Sequence, residues 1–505
     1  MKSSKSNLLR KGKLNAKSGL LLFLINSITA FILNPILVNY FGTYLFGIWK
    51  SIDKYLGFAS IADGKGSQAL KWVVAKYESS NDIELKQRFV GSAIIVWVIF
   101  LPILISIISL FIYFSPILIS NVNLEDRDLV VSIVVLLGIN LIATPLLNIS
   151  ESILVGTNRG YIVNIIRILS LVTIFGLSLM VVFFKLELID LAIIIVAITI
   201  FRGVLYFIMA KRYVPWFGAK MPRASELKSF FKFSSWKLIW SFVARFLMAS
   251  EVILLSTLTN PSTVSSYIFS AYLIVTSVSI SAIVTSSFNP SIGQMFGAKD
   301  YKSCQDVIGN LREAIFAFSI FVGSIILLLD QSFVKLWAGE ELFIGSYNIL
   351  LIVLIMVELL LIRNESFIID VSLDIKKKVL LGLISTALTI LFATIGYNYI
   401  DNSISIIFIA IFLARLPLLV AFPLMVNRIM KNGNTSIFPI KNIISATTII
   451  YISYIIGVNQ KFDSWIILIL AGILEGIILI SIIYRFLLTP KNRRLFLRKM
   501  AFNVH

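Results

Sequence analysis

The chain has one cysteine, Cys304, and one histidine, His505, among 505 residues. That scarcity excludes a disulfide framework, a zinc cluster, a Cys-His dyad and a histidine proton relay. Charge is scarce as well: Asp, Glu, Lys and Arg make up 14% of the residues, against 58% hydrophobic ones and a mean hydropathy of +0.93. A soluble domain cannot cover that much apolar surface, whereas a bilayer accepts it. The sequence also lacks a hydrophilic insertion long enough to fold alone. No small-residue cleavage site follows the first apolar run, so no cleavable signal peptide is expected. These absences point to an all-α integral membrane protein with no cofactor and no bound metal.

What charge there is falls in a pattern. Basic residues cluster before Gly19, between Lys65 and Arg88, between Lys211 and Lys232, at Lys376-Lys377-Lys378, and after Pro490. The connections between these clusters are short, and several are acidic or neutral, such as Asn121 to Asp128 and Glu187 to Asp190. Roughly 32 Lys/Arg lie in the loops of one side against about 4 in those of the other, the positive-inside asymmetry of a multi-pass membrane protein. Both termini are therefore expected in the cytoplasm. The formal net charge of +19 does not indicate nucleic acid, because no aromatic-studded soluble domain gathers it. Anionic lipid of the inner leaflet is the simpler partner, at about 1 kcal/mol for each Lys or Arg near that surface.

At about 20 residues per crossing, spans are expected near 17–40, 43–63, 88–114, 129–154, 160–184, 188–210 and 230–259. The rest are expected near 264–290, 303–329, 342–373, 377–398, 402–428, 438–457 and 463–488. That makes about fourteen, an even number as shared cytoplasmic termini require. A weak repeat with a period of about 220 residues suits parallel-repeat transporters. Tyr44 and Tyr267 each open a helix that ends in a polar break, at Gly64 or at Asn289-Pro290. The expected organisation is a basic N-terminus (1–18), an N-lobe of six helices (19–212) and a cytoplasmic linker (213–229). A second six-helix lobe (230–430), two C-terminal helices (431–490) and a basic tail (491–505) follow. Pro35, Pro102, Pro145, Pro417 and Pro423 fall inside spans, where the missing N–H must be offset by neighbours or by water.

About nine Lys/Arg lie within spans, each costing a few kcal/mol unless it snorkels, pairs or meets water. Arg167 and Arg202 are about 12–14 Å from the inner ends of their helices, within partial snorkelling reach. Lys50 and Lys54 are about 10 and 16 Å below the outer end of theirs, on one stripe of the helix. Asp53 is placed to pair with one of the two, which leaves a positive charge over. The seventh helix repeats the pattern with Lys237, Ser241 and Arg245. If both stripes face one interior, Lys50, Lys54, Lys237 and Arg245 form a cationic chamber suited to a diphosphate. The opposing interpretation is interhelical pairing with Glu251, Glu358, Glu365 or Asp370.

Hydroxyls and amides provide candidate sugar contacts: Asn26 and Asn34 on the first helix, and Ser270, Ser277 and Ser281 on the heavily hydroxylated eighth. Close helix packing is the commoner role of such groups. Asp53, Glu251, Glu365 and Asp370 are the candidates for ion coupling, because burial raises a carboxyl toward neutrality.

With these residues in view, the chain resembles the polysaccharide-unit (O-antigen type) flippases of the multidrug/oligosaccharidyl-lipid/polysaccharide flippase superfamily. Asn39-Tyr40-Phe41-Gly42-Thr43-Tyr44-Leu45-Phe46-Gly47-Ile48-Trp49 is similar to that family's first external turn. Ile61-Ala62-Asp63-Gly64-Lys65-Gly66-Ser67-Gln68-Ala69-Leu70 is similar to the Gly-rich segment that ends its second helix, with Lys65 interrupting the usual apolar spacing. The resemblance implies transport of an undecaprenyl-diphosphate-linked oligosaccharide across a bacterial plasma membrane for O-antigen, capsule or exopolysaccharide synthesis. It also implies two lobes rocking in alternating access on a proton or sodium gradient, a lipid-tail groove at the last two helices, and other polysaccharide-assembly proteins as partners. A lipid II flippase shares the fourteen-helix plan. A multidrug antiporter of the superfamily would have twelve helices and an acidic interior. A membrane polymerase or ligase would expose a large external catalytic loop, and no expected external loop exceeds about 15 residues.

Overall fold

A computed structural model describes residues 2–78, 82–119, 122–297, 299–372, 375–400, 403–430, 439–490 and 492–493. Within them, the side chains of 2–13, 16, 72, 76, 228–237, 286–287, 289–291, 293–294, 297 and 371 are not described. Fifteen α-helices and no strand occur among the described residues. They are α1 (Lys2–Ala59), α2 (Gly66–Tyr77), α3 (Ile83–Leu118), α4 (Arg127–Gly156), α5 (Gly160–Phe183), α6 (Leu188–Tyr213), α7 (Ala224–Leu258) and α8 (Pro261–Ser270). They continue with α9 (Tyr272–Gly297), α10 (Tyr301–Ala338), α11 (Ser346–Val371), α12 (Lys376–Ile395), α13 (Ile404–Ile429), α14 (Ile440–Asn459) and α15 (Trp465–Phe486). The all-α membrane architecture expected from composition is the one found.

Among the described residues, twelve segments are long and apolar enough to cross a membrane, and Pro261–Ser270 with Tyr272–Thr285 passes the same test as a pair bent by 56°. The first segment, Lys17–Asp63, has 47 residues, about 70 Å of helix against a hydrocarbon core of about 30 Å. It is broken at Gly42, whose φ of 79° and ψ of 165° lie outside helical space. Lys50 Nζ donates to Asn34 Oδ1 at 3.0 Å. In an unbroken helix those residues would stand about 24 Å apart. The chain therefore turns back at Gly42, so this long segment is two helices, and the fourteen crossings expected from the sequence hold as an approximate count.

Turns and caps follow local chemistry. Beyond Ala59 a 3₁₀ turn, Ser60–Asp63, leads to Gly64 and Lys65, both left-handed at φ 71° and 51°. Asp63 steadies this break by accepting from the Lys65 backbone N–H at 2.8 Å. Asp82 caps α3 by accepting from Leu85 N, and Asp300 caps α10 by accepting from Ser303 N. Glu187 and Asp190 form a reciprocal capping box that opens α6.

The chain packs as two compact units, Met1–Arg245 with Thr259–Val264, and Phe246–Leu258 with Ser265–His505. In the first unit α4 lies at the centre, against α2, α3 and α6, while α1 packs along α5. In the second, α11 and α12 pack on α13, and α10 carries α11 on one side and the α14–α15 pair on the other. Gly457 lets α14 approach so closely that a Cβ there would sit 1.9 Å from the Leu327 carbonyl oxygen. Outward faces are apolar: Ile466, Leu470 and Leu474 of α15 are more than half exposed, as lipid contact requires.

Gly47 supplies a prediction with its own control. A Cβ at Gly47 would lie 1.8 Å from the Pro261 carbonyl oxygen, whereas one at Gly57 meets nothing within 4 Å. Gly47→Ala should therefore lower the melting temperature of the purified protein by several degrees, and Gly57→Ala should leave it unchanged or raise it slightly. Equal melting temperatures for the two variants would disprove the close approach.

Candidate functional site

In the first unit, the second arm of α1 carries a cationic stripe. Lys50 is bonded to Asn34 and lies 4.9 Å from the centre of the Phe46 ring. Asn34 is buried, so its amide oxygen finds in Lys50 a donor it would otherwise lack. Lys54, one turn further on, is half-buried and makes no hydrogen bond or ion pair among the described residues. Asp53 is exposed and makes no ion pair within 4 Å there, although it lies in the electrostatic field of Lys50. The amide of Asn34 thus occupies Lys50, and the three side chains keep one net positive charge.

A second group closes the same arm. Arg245 of α7 donates to Ser60 Oγ at 3.4 Å, and Asp63 lies within electrostatic reach of Arg245 and Lys65. Lys65 Nζ is 3.3 Å from Asp63 and donates to the Ser60 carbonyl at 2.6 Å. Burial pushes the Lys65 ammonium below its ordinary value, and Asp63 works against that push. Arg245 and Lys65 thus share the Asp63 carboxylate as an electrostatic partner. The Lys237 side chain lies outside the described residues.

Three cations of the second unit are paired with carboxylates. Arg312 of α10 forms a bidentate pair with Glu365 of α11, at 2.7 and 2.6 Å, and also donates to Asn427 at 3.0 Å. Lys378 of α12 donates to Asp370 of α11 at 2.5 Å and to Ser366 Oγ at 3.1 Å. Arg415 of α13, fully buried, donates to Glu251 at 3.2 Å, to Ser250 Oγ at 2.7 Å and to the Leu247 carbonyl at 2.7 Å. Glu251, Glu365 and Asp370 therefore each hold a cation.

Glu358 stands beside the Arg415 pair. It is 1% exposed, and neither carboxyl oxygen has a hydrogen-bond partner among the described residues. Arg415 and Glu251 both act on it electrostatically, and both also act on Tyr267. Glu251 thus holds the guanidinium, and the buried Glu358 beside it is left without a partner among the described residues.

The hydroxyl and amide candidates have diverse surroundings. Ser270 is fully buried, donating to the Leu342 carbonyl and accepting from Ile344 N, so its hydroxyl fastens backbone. Ser277 bonds back to the Leu273 carbonyl, and Ser281 is buried. Asn26 is exposed and lines a polar cavity of the first unit. On the second unit, Ile444, Thr448, Ile452, Ile478 and Ile482 line a groove of about 460 Å³ between α14 and α15, with Glu475 in its wall.

The sequence placed Lys378 in a basic loop cluster and did not single out Arg312 or Arg415, yet these three are the partners of Asp370, Glu365 and Glu251. The signal was present: Arg415 stands inside an uninterrupted apolar run, and basic residues there require a counter-ion. Nothing in the spacing, however, joins Arg312 to a glutamate 53 positions later.

Residues 15–296 match the model of the polysaccharide biosynthesis protein family. No curated protein matches the chain. Among solved structures, the lipid II flippase MurJ in an inward closed conformation is 15% identical with a TM-score of 0.65, over 94% of this chain and 99% of that one. A MATE transporter of Vibrio cholerae is 14% identical with a TM-score of 0.58, over 86% and 99%. An inward-facing multidrug resistance MATE family transporter of the MOP superfamily is 14% identical with a TM-score of 0.55, over 82% and 96%. At such identities these likenesses establish the fold they share with this chain.

Proposed function

The chain belongs to the polysaccharide biosynthesis protein family, and from that membership we propose that it is a flippase for lipid-diphosphate-linked oligosaccharide. Its substrate is an undecaprenyl-diphosphate-linked repeat unit for O-antigen, capsule or exopolysaccharide, carried from the cytoplasmic to the outer leaflet of a bacterial plasma membrane. Both termini lie in the cytoplasm, and two lobes of six helices alternate access to the site.

The observation that carries this reading is a pair of lysines on one stripe of a span with no carboxylate partner among the described residues. Arg312, Lys378 and Arg415 are each matched by a carboxylate, whereas Lys50 has only an amide and Lys54 has no partner among the described residues. An unmatched ammonium inside a span is expensive, and a diphosphate relieves that cost while gaining charge-assisted hydrogen bonds. Lys50 and Lys54 take the diphosphate, with Arg245 adding to the cationic wall. The groove between α14 and α15 takes the isoprenoid tail.

Coupling falls to the Glu251–Glu358–Arg415 group, whose unpartnered carboxyl accepts a proton or a sodium ion; Glu365 and Asp370 act as counter-charges to Arg312 and Lys378. In proteoliposomes, an imposed proton or sodium gradient should speed translocation of the lipid-linked sugar at least several-fold. Movement at one rate with and without either gradient would indicate passive scrambling. For the substrate itself, a deletion strain should accumulate a lipid-linked oligosaccharide, identified by mass spectrometry of the membrane lipids. Accumulation of lipid II alone would replace the repeat-unit assignment.

A further inference from the structure

The cavity of the first unit that Asn26 lines holds about 410 Å³ and is walled by α1, α4, α5 and α6. Its charge is unbalanced. Glu151 of α4, 3% exposed, is held at one oxygen by Lys71 at 2.8 Å and at the other by Arg167 at 3.0 Å. Both oxygens are thereby engaged. Arg202 of α6 lines the same cavity, and its Nε is buried without a hydrogen-bond partner among the described residues. Three cations against one carboxylate leave two positive charges unmatched. The amides of Asn26 and Asn148 also line the cavity, and neither side chain makes a hydrogen bond among the described residues.

Arg202 stands eleven residues before Tyr213, the last residue of α6, about 16 Å along the helix. The wall is also built to hold its form. Asn15 of α1 donates to Asn158 at 2.7 Å and accepts from Tyr161 N at 2.7 Å, and Asn164 donates to Ser18 at 2.9 Å. These bonds pin α1 to the α4–α5 turn, so the cavity is not an accident of a loose helix.

We propose that this cavity is an anion site for a lipid-borne phosphate group, bound by Arg202 and Arg167 with Asn26 and Asn148. Two guanidiniums offer the planar paired donors that phosphate oxygens match. Leu22, Phe23, Leu171 and Ile174 form the apolar remainder of the lining, which suits the first carbons of a lipid chain better than a free ion. The site is separate from the Lys50–Lys54 stripe: Asn26 and Asn34 are eight residues apart, about 12 Å along α1. It stands whether or not that stripe binds substrate.

Native mass spectrometry of the purified full chain tests it, with farnesyl diphosphate, dioleoylphosphatidylglycerol and inorganic diphosphate as separate probes. Arg202→Gln should weaken lipid-probe binding at least tenfold, and Arg202→Lys less, since it keeps the charge but loses the fork. Asn26→Leu, at an exposed position, should block the cavity without altering charge, and it keeps the test open if Arg202→Gln does not fold. Tighter binding of farnesyl diphosphate assigns the site to an isoprenoid diphosphate; tighter binding of phosphatidylglycerol assigns it to a bilayer lipid. Inorganic diphosphate binding as tightly as either would overturn the lipid-borne assignment. Wild-type stoichiometry and affinity in monodisperse Arg202→Gln and Asn26→Leu would overturn the site itself. A loss of binding in Lys54→Ala alone would overturn it too, while supporting the stripe.

Discussion

Lys54→Ala should reduce surface polysaccharide at least tenfold while the protein remains in the membrane at wild-type abundance. The side chain is half-buried with no hydrogen bond or ion pair among the described residues, so its removal breaks no internal pair and leaves no orphaned carboxylate. Two unit charges 4 Å apart in an effective dielectric near 20 interact by about 4 kcal/mol, and each factor of ten in affinity is about 1.4 kcal/mol. Loss of one ammonium–diphosphate contact therefore exceeds tenfold even after generous discount for water. Lys54→Arg keeps the charge and should retain most activity. Polymer at wild-type levels in Lys54→Ala, measured by gel and by glycan labelling, would remove the stripe from the transport reaction.

Arg312→Ala should have the opposite profile, a loss of protein. Arg312 and Glu365 are both buried, joined by two hydrogen bonds. Removing one partner of such a pair strands a buried charge at about 3–5 kcal/mol, whereas replacing both by apolar residues of similar size is often neutral. Arg312→Ala should therefore aggregate or melt far earlier than wild type, and the double variant Arg312→Met with Glu365→Leu should recover most of the melting temperature. A double variant no more stable than Arg312→Ala would show that the pair has a role beyond mutual neutralisation.

Much of the fold was legible in the sequence, and for a physical reason. Apolar runs of about 20 residues have one stable outcome in lipid, and the glycines at 42 and 64 mark the breaks because their φ of 79° and 71° disfavours side chains. The resemblance to the polysaccharide flippases, drawn from the first eighty residues, accords with a family match over 15–296. Partnerships were not legible. Lys50 was expected to meet Asp53 three residues away, yet Asn34 receives it, because the turn at Gly42 brings the two arms of α1 together. Arg415 and Glu251 are 164 positions apart, and which helices meet is decided by packing across the whole unit. Ser270 illustrates the same gap: periodicity put a hydroxyl in a span, and only the fold gave it two backbone partners.

The most direct test is an experimental structure of the chain bound to an undecaprenyl-diphosphate-linked sugar. The account predicts diphosphate oxygens within hydrogen-bonding distance of the Lys54 and Lys50 ammonium groups. Density for the diphosphate elsewhere, with Lys54 turned to acyl chains or paired with a carboxylate, would contradict it.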